Sequence, residues 1–215
     1  MDVMAGKPDY SEEQFEIKNG ARRIAGVDEA GRGPLAGPVT AAAIVLNPSC
    51  LPRGLNDSKR LTAKMRGELH DIICATAEVS VAHATVDEIE ALNILRAAHL
   101  AMERAIDGLK TPVDIALIDG NAIPGNLNVK ARAIIKGDSL SLSISAASIV
   151  AKVRRDWIMA DLAAKHPGYG WETNSGYGTK FHARALKKLG VTPHHRRTFQ
   201  PVRAMLDENS SSHCQ

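Results

Sequence analysis

Cysteine is scarce in this chain of 215 residues: Cys50, Cys74 and Cys214 are far apart and lack metal-type spacing. That excludes a disulfide framework and points to free thiols. Long apolar runs are missing too, since nothing approaches the ~20 consecutive residues that a membrane-spanning helix needs. The opening Met1-Asp2-Val3-Met4-Ala5-Gly6-Lys7 has no basic stretch leading into an apolar one, so a secretory signal is not expected and cytoplasm is the expected location. No charge of one sign dominates. A net charge of +3 and a pI near 8.8 permit a polyanionic partner without requiring one.

What is present fits a globular α/β domain. Hydrophobic residues at 44% and charged residues at 24% suffice for a real core. One domain is expected over 21–206, between polar tails at 1–20 and 207–215. Residues 22–29 and 38–46 read as strands around a glycine-proline turn, an antiparallel pair, and 78–86, 113–120 and 131–136 add further strands. Helical periodicity covers 62–77, a continuous 86–109 with Asp87 as N-cap, and a long helix from Ser141 to about Lys165. Shorter helices follow a Gly/Tyr-rich loop. Mixed strand connections predict a mixed central sheet flanked by helices.

Chemistry is expected where apolar strands stop in acids. Ile24-Ala25-Gly26-Val27 runs into Asp28-Glu29, and Ile115-Ala116-Leu117-Ile118 into Asp119-Gly120. Such strand ends are common ligand sites in α/β sheets. In the long helix, Ser145, Ser148, Lys152 and Asp156 form a polar stripe beside an apolar face of Ala146, Ile149, Val150, Val153, Trp157 and Ala160. A solvated face would explain that stripe alone. If Asp28, Glu29, Asp119 and Asp156 converge, their repulsion calls for cations, and oxygen-only ligation favours Mg²⁺ or Mn²⁺. Two such ions suit phosphodiester hydrolysis. Adjacent strand residues point to opposite faces, so the first strand should end or bend at Asp28-Glu29.

Gly31-Arg32-Gly33-Pro34-Leu35-Ala36 also fits a dinucleotide fingerprint. The two preceding acids would repel a pyrophosphate, and a strand follows where that motif needs a helix, so this reading is rejected. Lys59, Lys136, Lys152 and the His194–Arg197 run are candidate phosphate contacts, and Tyr169, Trp171 and Tyr177 are candidate stacking rings in loops.

Together these blocks closely resemble the ribonuclease HII family over about 22–203. The matching pieces are 26–39, Asn56-Asp57-Ser58-Lys59, Ile118-Asp119-Gly120, Lys136-Gly137-Asp138, Ser145 through Asp156, Asn174 through Thr179 with His182, and His195-Arg196 with Thr198-Phe199. The resemblance implies a ribonuclease H-like fold with additional C-terminal helices, and Asp28, Glu29, Asp119 and Asp156 as catalytic, metal-binding carboxylates. It assigns Gly31, Arg32 and Gly33 to sensing the ribose 2′-hydroxyl and Tyr177 to stacking on the next sugar. Lys59, Ser148 and Lys152 join them as substrate contacts. It further implies an endonuclease, with two Mg²⁺ or Mn²⁺ ions when substrate is bound, that cuts RNA in RNA/DNA hybrids and 5′ to single ribonucleotides in duplex DNA; a monomer is the simplest expectation for a compact nuclease. A replication-clamp contact through a tail is possible in such a protein. A catalytically inactive hybrid-binding protein is the alternative. Ser175 departs from the lysine expected before Gly-Tyr-Gly, which would weaken a phosphate contact.

Overall fold

The computed structural model describes residues 7–211, with side chains through Asp207. Five strands, β1 (Ile24–Ala30), β2 (Val39–Val45), β3 (Glu78–Ala84), β4 (Ile115–Asp119) and β5 (Lys130–Ile134), form one sheet in the order β3-β2-β1-β4-β5. β1, β2 and β3 are antiparallel neighbours, whereas β4 and β5 run parallel to β1, giving the expected mixed sheet. The central strands read as continuous runs of small and branched apolar residues because helices cover both faces. Along β2 the alternation is visible: Ala41 and Ala43 join the core under one helical layer, Ala42 and Ile44 the core under the other.

The first layer consists of α3 (Val86–Leu92) and α4 (Ile94–Asp107), where one continuous helix was expected. Asn93 breaks it. Its backbone is left-handed at φ +71, and its Oδ1 accepts from the amides of Leu95 and Arg96, capping α4. α3 is capped by Thr85, not Asp87, in a reciprocal capping box with Glu88. The second layer holds α2 (Ala63–Thr76) and the 24-residue α5 (Leu142–Lys165). α5 lies directly on β1 because Gly26 has no side chain: a Cβ there would sit 2.1 Å from the main chain of Ser143.

The expected apolar face of α5 holds through Val153 and then fails, since Trp157 is half exposed and Ala160 exposed. Beyond the sheet the helix buries Met159 and Ala163 against the C-terminal segment instead. Trp157 turns away to meet the edge of His70 and the guanidinium of Arg154.

Residues 1–20 do not form a tail throughout. α1 (Ser11–Lys18) docks by its acids: Glu13 Oε1 accepts from the Ser141 hydroxyl at 2.5 Å and the Ser143 amide at 2.8 Å, and Arg132 bonds both Glu12 and Glu16. At the other end, α8 (Val202–Ser211) runs through the start of the expected tail; residues 212–215, including Cys214, lie outside the described residues. Among the described residues no helix is long and apolar enough to cross a membrane.

α6 (Trp171–Asn174) and α7 (Lys180–Leu189) pack with Leu35, Met159 and Val202 around a buried polar chain. Trp171 Nε1 donates to His182 Nε2, which also receives His195 Nε2 at 3.1 Å. His182 Nδ1 then faces the Tyr177 carbonyl at 2.9 Å, and the Thr192 amide donates to His195 Nδ1. Both rings are therefore neutral in a consistent tautomeric network, and they fix the backbone of Tyr177.

Two outcomes follow from this packing. Gly26→Ala is expected to cost about 1–3 kcal/mol in urea unfolding, because α5 must lift off β1. Burial, then the neighbouring His182, holds His195 down to about 3, and burial lowers His182 as well. Unfolded, each titrates near 6.5, so below that pH the unfolded chain takes up protons that the native one refuses. Stability should accordingly fall as pH drops from about 6.5 towards 3, by up to ~1.4 kcal/mol per pH unit per proton. Denaturation of wild type and His195→Gln at pH 7 and pH 5 checks this, with a shallower pH dependence in the variant.

Candidate active site

β1 and β4 are parallel neighbours whose last paired residues are Val27 and Ile118, so the next residues, Asp28 and Asp119, emerge side by side. Of the expected end or bend, the end does not occur: β1 continues past the acids. It stays paired with β2 through Asp28, Glu29 and Ala30, because β2 is the longer partner on that side. The turn comes later, at Gly31, whose φ of +100 and lack of a Cβ let the loop press against the Arg155 side chain.

The acids open into a cavity of about 360 Å³. Asp28, Glu29 and Asp119 line it, as do Gly31, Arg32 and Gly33. Lys59, Ser148, Lys152 and Tyr177 complete the set, so ten of the eleven residues assigned through the family resemblance share one cavity, whereas Tyr169 and Trp171, the other candidate stacking rings, are buried in the core. The eleventh, Asp156, is not in its lining. It lies one turn beyond Lys152 on α5, where its Oδ1 accepts from Lys152 Nζ at 2.7 Å and from the Ser175 hydroxyl at 2.9 Å. The polar stripe of α5 is thus no solvated face: Ser145 and Ser148 are buried, and Ser148 bonds Ser58 at 3.0 Å.

The electrostatics are those of crowded acids. Desolvation, followed by Glu29 and Asp119, raises the Asp28 carboxyl well above its usual value, against weaker opposition from the Ser148 hydroxyl and the Glu29 amide. Burial also raises Glu29, although Arg32 at 3.2 Å counteracts it. Asp138 is a further buried acid, raised by desolvation and by Asp119. Lys59, 4.0 Å from Asp138, is raised on balance by Asp138, Asp57, Asp28 and Asp119 despite desolvation. Among the described residues, no group of three or more acids, histidines or cysteines is gathered tightly enough to hold a metal ion. The donor set nonetheless fits hard cations, because it is made of oxygens held together in spite of mutual repulsion.

Two buried arginines hold the loop in place: Arg155, which also lines the cavity and had no role assigned from the sequence, and Arg196, which was expected among the phosphate contacts of the His194–Arg197 run but is fully buried and cannot reach a phosphate. Arg196 donates to the carbonyls of Gly31, Arg32, Gly37 and Pro38, and Arg155 to those of Ala36, Pro38 and Ser175. Burial lowers Arg196 to about 9 and Arg155 to about 10. Both belong to sequence blocks already noted, but nothing in a single sequence marks an arginine as buried. Arg66, which donates to the Ser58 and Leu61 carbonyls under the Lys59 turn, left no signal either. A larger cleft of about 870 Å³ flanks the edge strand β3, with His83, Arg154 and Trp157 in its wall, and none of the expected site residues reaches it.

The ribonuclease HII family model matches residues 25–202. The ribonuclease HII of Roseobacter denitrificans is 62% identical over 192 residues, covering 89% of this chain and 97% of that relative. Among solved structures, the ribonuclease H2 of Pyrococcus horikoshii superposes with a TM-score of 0.73 at 27% identity, over 87% of this chain and 98% of that one. The ribonuclease HII of Archaeoglobus fulgidus, solved in complex with PCNA, gives 0.70 at 25% identity, over 83% and 96%. Apolar strands delivering Asp28 and Asp119 side by side, the glycine-flanked Arg32 and these relatives lead to one assignment: the chain belongs to the ribonuclease HII family of ribonuclease H enzymes.

Proposed function

We propose that this enzyme cleaves the RNA strand of RNA/DNA hybrids and cuts duplex DNA 5′ to single embedded ribonucleotides, leaving 5′-phosphate and 3′-hydroxyl ends. The observation that carries the reading is the placement of Asp28, Glu29 and Asp119 in one cavity with the Gly31–Gly33 loop and Tyr177. Acids for phosphodiester hydrolysis and groups suited to reading a sugar face the same space.

Asp28, Glu29, Asp119 and Asp156 are the residues that would hold Mg²⁺ or Mn²⁺. Two such ions, present with substrate, supply activation of the attacking water and neutralisation of charge on the leaving oxygen. Asp28 would be the central ligand, since burial, and then Glu29 and Asp119, disfavour its carboxylate, a cost that a cation would offset. Main-chain groups of Gly31, Arg32 and Gly33 contact the 2′-hydroxyl, the feature that separates RNA from DNA at a single position. The buried Arg155 and Arg196 keep that loop from adapting to a deoxyribose. Tyr177, half exposed at the cavity wall, stacks on the following sugar, while Lys59 and Lys152 meet phosphates. Ser148 fixes Asp28.

The protein acts as a monomer in the cytoplasm, with the catalytic domain expected over residues 21–206 extended by the docked α1, and a tail available to a replication clamp. The clamp complex of the Archaeoglobus relative supports that last assignment. Ribonucleotide removal from DNA and clearing of RNA primers are the corresponding roles.

A labelled duplex with one ribonucleotide, incubated with Mg²⁺, Mn²⁺ or chelator beside an all-DNA control, tests the reading. Metal-dependent cutting confined to the 5′ side of the ribonucleotide is expected. Equal cutting of all-DNA duplex would reassign the protein as a nuclease indifferent to ribose, and tight binding without cutting would make it a binding protein. Asp28→Asn should lose more than about a hundredfold in rate, beyond what indirect ligand partners are worth. In chelator the same variant should melt higher, by about 2–4 °C for each kcal/mol of repulsion removed, which separates lost chemistry from lost folding.

A further inference from the structure

Residue 175 is where the tyrosine loop and the fourth acid meet. Ser175 has left-handed backbone, φ +47 and ψ +33, which a residue with a side chain adopts only when its surroundings hold it. Here its amide donates to the Trp171 carbonyl at 3.0 Å, and its carbonyl accepts from Arg155 Nη1 at 2.9 Å. The hydroxyl donates to Asp156 Oδ1 at 2.9 Å. Two residues on, Tyr177 is tied back to the same turn through the Asn174 carbonyl, and Gly176 bonds Leu35 in the glycine loop. Lys152 also takes Asp156 Oδ1, so both donors load one oxygen and neither engages Oδ2.

We propose that Ser175 is a positioning residue for cleavage: its hydroxyl orients Asp156 relative to Tyr177, so that seating a sugar against the ring and presenting Asp156 Oδ2 to the reaction centre become one event. The inference rests on the roles given above to Asp156 and Tyr177. A serine is suited to this because its short side chain reaches the neighbouring carboxylate without leaving the turn. The lysine expected at this position would bring a second ammonium on a long, flexible stem to an acid that Lys152 already neutralises. The tyrosine loop of this chain is therefore fastened to the acid by a neutral donor rather than by charge.

Two substitutions separate positioning from folding, because they move stability and catalysis in opposite directions. Ser175→Gly removes the hydroxyl but suits φ +47, so its urea midpoint should equal or exceed wild type. Its kcat on the single-ribonucleotide duplex should nevertheless fall about tenfold, with KM within about threefold, the scale of one hydrogen bond to a charged group. Ser175→Thr keeps the hydroxyl but strains the left-handed backbone, so it should unfold at lower urea while retaining kcat within about threefold of wild type. Wild-type kcat in the glycine variant, or equal losses in both, would overturn the proposal. Asp156→Asn measured alongside tells the two failures apart. If it is inactive while Ser175→Gly is normal, only the serine's role falls; if it remains active, the reading of Asp156 falls and the proposal with it.

Discussion

The contact between α5 and β1 at Gly26 governs the rest of this molecule. A strand ordinarily keeps a helix at the distance its side chains dictate, but here a bare main chain lets the first turn of α5 settle on the sheet. That closeness brings Ser148 to the strand end carrying Asp28, and Lys152 and Asp156 along the same helical face to the cavity margin. Small residues accommodate the approach on both sides: Ala42 on the strands, Ala146, Ala147 and Ala151 on the helix. Asp28 and Asp119 owe their proximity to the pairing of β1 with β4, and Ser148 and Lys152 owe theirs to the close packing of α5 on β1. Such elements hold side chains more firmly than a flexible loop would.

Behind the acids the problem is of the opposite sign. Arg155 and Arg196 are among the largest fully buried side chains, and their charges are met by main-chain carbonyls. Carbonyls of residues 31–38 that point inward to two guanidiniums cannot also point into the cavity. The loop consequently presents a fixed face, and its positive backing offsets the repulsion that a polyanion would feel on nearing three carboxylates. Nearly all the buried polar side-chain atoms are matched. Among the described side chains, the buried exceptions are Glu13 Oε2, Ser145 Oγ and Arg154 Nε.

Much of this was legible in the residues. Apolar runs leading into Asp28-Glu29 and Asp119-Gly120 located the site, since a buried strand that delivers acids calls for cations or donors to meet them. The serine stripe of α5 was visible as a pattern, although only tertiary structure shows that it is enclosed. What stayed hidden has physical causes. α1 buries Glu13 and Glu16 while Phe15 and Ile17 face outward, so hydrophobic periodicity points the wrong way. Asn93 splits a strongly periodic helix through a single left-handed residue, which periodicity does not register. The end of α5 changes partners from the sheet to the C-terminal segment, and Trp157 is turned outward as a result. Asp156 was read as an equal of the other acids, yet it lies to one side, bound to Lys152 and Ser175.

The docking of α1 bears on how the chain acquires its structure during synthesis. Glu13 completes the N-terminal turn of α5 across sequence separations of 128 and 130 residues. A ribosome delivers α1 early and its receptor late, so α1 has to wait in solution until most of the sheet has been made. Contacts of such long range form slowly, since a large loop must close before any bond rewards it. The helix that emerges first is then among the last to find its place, and the nascent enzyme stays unlatched at the start of α5 until more than half of it has been translated.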